Sequence, residues 1–214
     1  MAKKATKPKA TKSLYSVHPG VQMVQDWIAH LKEKTGRTID EWMTHIRKEG
    51  PDDEKACRVW LKEKYGVGTN TAWWLAERAR GNKLGLADDD PESYLREAPI
   101  YVEQMFADGK AGLRPLYDEL LKIGLGIGAD VKACPCKTIV PLYRNHVFAQ
   151  LKPTTRTRFD LGLALKDMKT PARLIDTGGF QKKDRITRRI PISTMDEIDD
   201  DVKHWLKVAY DMDA

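Results

Sequence analysis

Apolar residues recur every three to four positions through the first two fifths of the chain, alternate in segments between about residues 138 and 192, and return to helical spacing at the end, so helices come first, a sheet follows and a helix closes the chain. Val21, Val24, Ile28 and Leu31 mark one helix that ends near Thr35 and Gly36. Thr38 and Glu41 have the spacing of a capping box for a second, whose inner face is Ile39, Trp42, Met43 and Ile46 and whose end is Gly50-Pro51. A third opens at Asp52-Asp53, is expected to bury Ala56, Val59 and Trp60, and stops at Tyr65-Gly66. The fourth starts at Gly68-Thr69 and carries Trp73, Trp74, Leu75 and Ala79 to Gly81.

Residues 82–99 read as a linker with a short helical turn. Two helices follow, one about Ile100 to Ala107 and one presenting Leu113, Leu116, Tyr117, Leu120 and Leu121 on a single face. Beyond Gly128 the period becomes two. Strands are expected over 138–143, 146–151, 156–165 and 185–192, the first two joined by a tight turn at Tyr143 to His146. In the third, Phe159, Leu161, Leu163 and Leu165 point to one side and Arg156, Arg158, Asp160 and Gly162 to the other. A final amphipathic helix begins at a Ser193 cap and buries Met195, Ile198, Val202, Trp205, Leu206, Ala209 and Tyr210. The expected fold class is α+β: a disordered Lys-rich tail over 1–15, a small helical bundle over 16–82, a linker over 83–97, and an antiparallel sheet packed with helices over 98–214.

Charge sharpens this division. The 37 basic and 31 acidic residues give a net +6, of which residues 1–12 alone contribute five lysines and no acid. Such an arm is too poor in apolar surface to fold and suits non-specific contact with phosphate, or simply aids solubility. Residues 137–189 hold 13 basic and 4 acidic residues, whereas 84–120 hold 3 basic and 9 acidic, so the sheet is basic and its neighbouring helices are acidic. Two accounts compete: a cationic surface that gains affinity by releasing counterions, or acidic helices that offset a basic sheet within one domain. No apolar run approaches the roughly 20 residues of a membrane span, and no secretory signal opens the chain, so a cytoplasmic protein without membrane association is expected.

Five of the six tryptophans fall between Trp27 and Trp74, and their main role in so small a module is to fill its core. Trp73 and Trp74 point about 100° apart on a helix, which leaves one of them toward solvent. The third and fourth helices have helix-turn-helix proportions, with Thr69, Asn70 and Thr71 where base contacts would lie and Lys62, Lys64, Arg78 and Arg80 near phosphates. Any small bundle contains such a turn, which is the blander account.

Candidate chemistry is sparse. The Cys134-Pro135-Cys136 pair lacks the further ligands of tetrahedral zinc and the spacing of a redox pair, so two small buried residues are expected, with no metal and no cofactor. Gly124, Gly126 and Gly128 follow a helix rather than a strand, the reverse of a phosphate loop, and read as helix termination. No nucleophile elbow, paired-histidine zinc motif or nucleotide-binding loop occurs, so no catalytic residue is assigned and a non-enzymatic role is expected. Asp160 suits an ion pair with Arg156 or Arg158. The remaining constellation is Lys137, Tyr143, Arg144, His146, Phe148, Lys152, Arg156 and Arg158, with the hydroxyls of Thr154 and Thr155. If His146 and Phe148 share a face opposite Val147, Ala149 and Leu151, cations and aromatic rings meet there as phosphate contact and base stacking require.

The runs CKTIVPLY at 136–143, HVFAQLKPT at 146–154, RFDLGL at 158–163, TMDEI at 194–198 and WLKVAY at 205–210 resemble an uncharacterised bacterial domain. That domain also occurs at the C-terminus of predicted nuclease-like or transport proteins. The runs TGRTIDEW at 35–42 and VWLKEKYGVG at 59–68 resemble a second uncharacterised module often found with the first. The resemblance implies an accessory protein that touches DNA, with catalysis left to nuclease parts absent from this chain. The expected function is therefore binding of DNA or RNA through the basic arm and the basic sheet face. The alternative is a protein-interaction or small-ligand module with a pocket between the sheet and the preceding helices.

Overall fold

The computed structural model describes residues 13–81 and 90–214, which divide into two compact units. One unit comprises residues 17–105 with 136–138, and the other the described residues up to Ser16 with 106–135 and 139–214. The basic arm over 1–12 and the first part of the linker lie outside the described residues.

The first unit is helical: α1 (Pro19–Ala29), α2 (Leu31–Thr35), α3 (Ile39–Glu49), α4 (Glu54–Tyr65), α5 (Thr69–Ala79) and α6 (Pro91–Met105). The first expected helix is split at His30, whose ring lies 2.7 Å from the Asp26 carbonyl and whose backbone (φ −95°, ψ 0°) departs from helix. The capping box of α3 forms as its sequence requires, Glu41 accepting from the Thr38 N–H at 2.7 Å. Trp42, Leu61, Leu75 and Cys57 are fully buried in one cluster, against which Trp27 and Trp60 pack. Trp27 meets Trp74 edge to face at 4.4 Å, while Trp73 is 37% exposed. Val59 is 46% exposed: α4 turns Cys57 and Leu61 inward instead, a spacing of four that the Ala56, Val59 and Trp60 face did not capture. The helix read from Ile100 begins at Pro91, so 91–97 are not linker; Asp90 caps the first turn by accepting from the Ser93 N–H at 3.0 Å.

The second unit is an antiparallel sheet with two helices: α7 (Arg114–Gly126), β1 (Lys132–Ala133), β2 (Val140–Tyr143), β3 (Val147–Pro153), β4 (Phe159–Leu163), β5 (Ile175–Asp176), β6 (Arg188–Ile192) and α8 (Asp200–Asp211). The strand order is β1-β2-β3-β4-β6-β5. The two outermost strands have two residues each, too short for an alternating pattern to register. The α+β architecture expected of this region is the one observed. Residues 13–15, read as tail, and Ser16, read as the start of the helical bundle, are part of it: Tyr15 is buried with its hydroxyl 3.1 Å from that of Tyr117 on α7, and the Ser16 N–H donates to the Ala133 carbonyl at 2.9 Å. The last helix starts at Asp200, not at Ser193. Asp199 caps it by accepting from the Val202 N–H at 3.0 Å, and a short 3-10 turn over Met195–Glu197 precedes it.

Two local features set the layers. Register slips between Leu142 and Tyr143, so that Tyr143 pairs with Val147 but Leu142 pairs with Ala149. The extra residue is Phe148, which the bulge turns into the core against Tyr210 of α8, ring centroids 5.6 Å apart. Gly124 does not end α7. A Cβ there would lie 2.5 Å from Leu142 Cδ1, so its missing side chain lets the helix close on β2.

Gly124→Ala is expected to lower stability by about 1–3 kcal/mol through overpacking, and Phe148→Ala by about 3–5 kcal/mol through the cavity it leaves. Urea unfolding followed by tryptophan fluorescence measures both, and a Gly124→Ala midpoint equal to wild type would contradict the close approach.

Candidate nucleic-acid interface

The eight residues singled out in the sequence do not form one surface. Lys137 falls with the helical unit. Tyr143, Arg144 and His146 sit at one end of β3 and Lys152, Arg156 and Arg158 at the other, about 20 Å apart by the rise of a strand. Phe148 is fully buried and offers no stacking face, because the bulge reverses the alternation that would have placed it beside His146.

At the first end the polar groups are occupied. Arg144 donates to Asp130 at 3.0 Å and lies 4.3 Å above the Tyr210 ring. The Tyr210 hydroxyl in turn donates to Asp130 at 2.7 Å, and with Arg144 it holds the Asp130 carboxyl below the usual carboxylate range. His146 is tied to Asp213, which accepts from its backbone N–H at 2.7 Å and lies 3.1 Å from its ring nitrogen. At the second end Arg158 and Arg189 both pair with the Asp160 carboxylate, at 3.1 and 3.0 Å, and the Thr154 hydroxyl donates to it at 2.7 Å. Asp160 is thus the ion-pair residue its position suggested, and it neutralises a cation that had been assigned to phosphate. Lys152 and Arg156 are exposed with no ion pair among the described residues.

The polar face of β4 is less open than alternation implies. Ile186 comes down over Gly162, where a Cβ would lie 2.8 Å from its side chain, and all five β4 residues are buried. This covering segment creates concavity. A groove of about 190 Å³ runs along Gln150, Lys152, Asp160 and Arg189 to Asp184. Beyond Asp184 lies a larger cleft of about 500 Å³ walled by Lys166, Phe180, Lys183 and Arg185 and floored by Thr187 and Asp213. None of these wall residues was singled out in the sequence. The signal available was the cluster of cations at 182–185 just after Gly178-Gly179, which only the folding of that loop over the sheet turns into a site.

α4 and α5 are joined across Gly66 (φ +63°), and Thr69 and Asn70 are exposed at the start of α5. Thr71 instead accepts from the Trp27 indole at 3.3 Å, Arg80 pairs with Asp52 at 3.3 Å, and Arg78 lies 4.8 Å from the Trp74 ring. Among the described residues, no three His, Cys, Asp or Glu side chains converge as metal ligands. Cys134 is fully buried, and burial pushes the half-buried Cys136 thiol up to about 11. No helix among the described residues is long and apolar enough to cross a membrane.

A two-unit chain of uncharacterised domains is what the comparisons support. Residues 102–213, just over half of the chain, match the family described as a domain of unknown function (DUF5655), and the protein belongs to it. Residues 23–81 match a second domain of unknown function (DUF4287). No curated protein and no solved structure matches the chain.

The Asp130 carboxylate should make stability depend on pH. Its folded value is depressed, so its contribution is complete above the unfolded carboxyl value of about 4 and is lost as pH falls through the lower folded one. The gap in urea midpoint between wild type and Asp130→Asn is expected to be open at about pH 6 and to close toward about pH 3; a gap constant with pH would contradict the pairing. Cys136 is expected to react with iodoacetamide only slowly near neutrality, because the thiolate is the nucleophile and burial disfavours it. Mass spectrometry of the labelled peptide reads this directly.

Proposed function

We propose that this protein binds nucleic acid without catalysis, using the groove and cleft on the polar side of the sheet together with the basic arm. The observation that carries this reading is the continuity of two concavities that share Asp184 and present Lys152 and Arg189, then Lys166, Lys183 and Arg185. Of these cations the three lysines have no carboxylate partner among the described residues, while the carboxylates that line the two concavities are bonded elsewhere, Asp160 to Arg158 and Arg189, Asp213 to Arg185 and Asp184 to the Ile186 N–H. The site thus moves from the hairpin end of β3, where every polar group is already bonded, to its other end and the 166–187 segment. We place the protein in the bacterial cytoplasm, since three cysteines make no disulfide framework. The resemblance to domains that accompany nuclease-like proteins supports an accessory role beside such an enzyme.

The test is fluorescence anisotropy of a labelled oligonucleotide over a salt series, with the full chain, a chain starting at Ser13, and the Lys152→Ala/Arg156→Ala double variant. Binding that survives removal of residues 1–12 is expected. The double variant should weaken it and reduce the slope of log affinity against log salt by about 1.4–1.8, two phosphate contacts' worth. Binding that vanishes with the arm, or a slope unmoved by the double variant, would defeat the assignment to the sheet.

A further inference from the structure

The cleft beyond Asp184 has features that electrostatic contact with a phosphate backbone does not require. Its volume of about 500 Å³ is that of a ligand pocket, which commonly spans about 300–1,000 Å³. Its outer wall is a loop braced at its base. The Thr177 hydroxyl donates to the Ile186 carbonyl at 2.7 Å, Asp184 N–H donates to the Gly179 carbonyl at 2.8 Å, and the missing Gly179 side chain leaves room for the Ile186 carbonyl. The tip of this braced loop holds Phe180 outward at 48% exposure, with Gln181 and Lys183 beside it.

Two further observations converge here. Only three non-glycine residues among the described ones have positive φ, and two of them are the lysines of this cleft, Lys166 at +51° and Lys183 at +58°. β-carbon-bearing residues avoid that region, so each lysine is held in a conformation that its neighbours impose, as happens where a side chain must be aimed. Arg185, the third cation, is fixed by donating to the Val147 carbonyl at 3.2 Å and to Asp213 at 2.7 Å. The two carboxylates nearby are already engaged, Asp213 by Arg185 and the His146 N–H, and Asp184 by the Ile186 N–H at 3.1 Å. The cleft therefore combines two unpaired lysines, a positioned guanidinium, a primary amide and an exposed aromatic ring.

We infer that the cleft takes a single nucleotide unit, its phosphate between Lys166, Lys183 and Arg185 and its base against Phe180, with Gln181 at the base edge. This rests on the nucleic-acid reading above for the source of the nucleotide, since the adjoining groove lets a strand continue past Lys152. The pocket chemistry itself is the same for a free mononucleotide. Stacking on Phe180 is tolerant of base identity, because every base has a flat face.

The experiment combines two titrations of the full chain, one with adenosine 5′-monophosphate by calorimetry and one with a labelled single-stranded oligonucleotide by anisotropy. The variant is Phe180→Ala/Lys166→Gly/Lys183→Gly; glycine at the two positive-φ positions removes the charges without adding strain, and all three side chains are exposed. Saturable monophosphate binding is expected for wild type and not for the variant. Oligonucleotide affinity should fall by about tenfold or more on losing the stacking ring and two phosphate contacts. If the monophosphate competes with the oligonucleotide, the cleft holds a nucleotide of a strand. If the monophosphate binds and no oligonucleotide does, the cleft holds a free nucleotide and the nucleic-acid reading alone fails. Oligonucleotide binding lost in Lys152→Ala/Arg156→Ala but unchanged in the cleft variant, with no saturable monophosphate binding, overturns the cleft and leaves the nucleic-acid reading standing. Absence of both bindings overturns both.

Discussion

The Asp213 carboxylate, almost wholly buried after the end of α8, holds together three parts of the sheet unit that no strand pairing joins. It accepts from the His146 N–H in the β2–β3 turn and from Arg185 ahead of β6, while its own carbonyl accepts from Asn145 at 2.9 Å. A buried carboxylate is costly unless its lone pairs are filled, and here one backbone donor and one guanidinium fill them. The consequence reaches the cleft, because Arg185 is a wall of it and Asp213 its floor. The position of α8 relative to the sheet, set by Phe148 and Tyr210, thereby also fixes the geometry of the candidate site.

The uneven charge of the chain resolves into a division between arginine and lysine. Within residues 137–189 the arginines at 144, 158, 173, 185, 188 and 189 each pair with a carboxylate, and Arg156 is the exception. Arg173 shows why: it reaches Asp199 at 2.6 Å and Asp201 at 3.2 Å, pinning the start of α8, a task suited to a planar fork of donors. The lysines of the same segment have no such partner among the described residues. The offsetting account of the charge therefore describes the arginines and leaves the lysines out. Carboxylates at the two ends of α8 offset Arg173 and Arg185, and Asp130, Asp160 and Asp176 offset the other four, so the lysines are left to face solvent.

The fold class was legible because period carries it: seven of the eight helices contain apolar positions at helical spacing, and β4 alternates without interruption. What escaped has local causes. Phe148 departs from the alternation because the bulge lets it point inward beside Ala149, leaving Val147 half-buried while Ala149 and Leu151 stay inside as their spacing requires, and no residue type announces a bulge at Val147-Phe148. The cap at Asp199 is hidden by Ser193, which has the spacing of a cap, whereas the capping box that forms there is that of Thr194 with Glu197, around a 3-10 turn only. Gly124 was read as a terminator since glycine usually is one, whereas its reason is a contact with Leu142, remote in sequence. The candidate site escaped for a related reason. Lys166 and the 180–185 loop are made neighbours by the descent of Ile186 onto Gly162, a tertiary event that spacing does not encode.

The same descent makes the two parts of the proposed site differ in how firmly their cations are held. Lys152 stands on a strand with a free four-carbon stem, and holding it on a phosphate costs up to about 2 kcal/mol of side-chain freedom, so its contribution is mainly to on-rate and salt dependence. Lys166 and Lys183 leave from left-handed backbone positions that the fold has already fixed, and Arg185 is locked by Val147 and Asp213. Arg185 alone among them has less side-chain freedom left to lose than Lys152, which is how preorganisation would add affinity for the anion we propose. Substituting glycine at 166 or 183 relieves backbone strain while removing a cation, so stability and binding should move in opposite directions. A loss of both would instead mean that these lysines serve the fold.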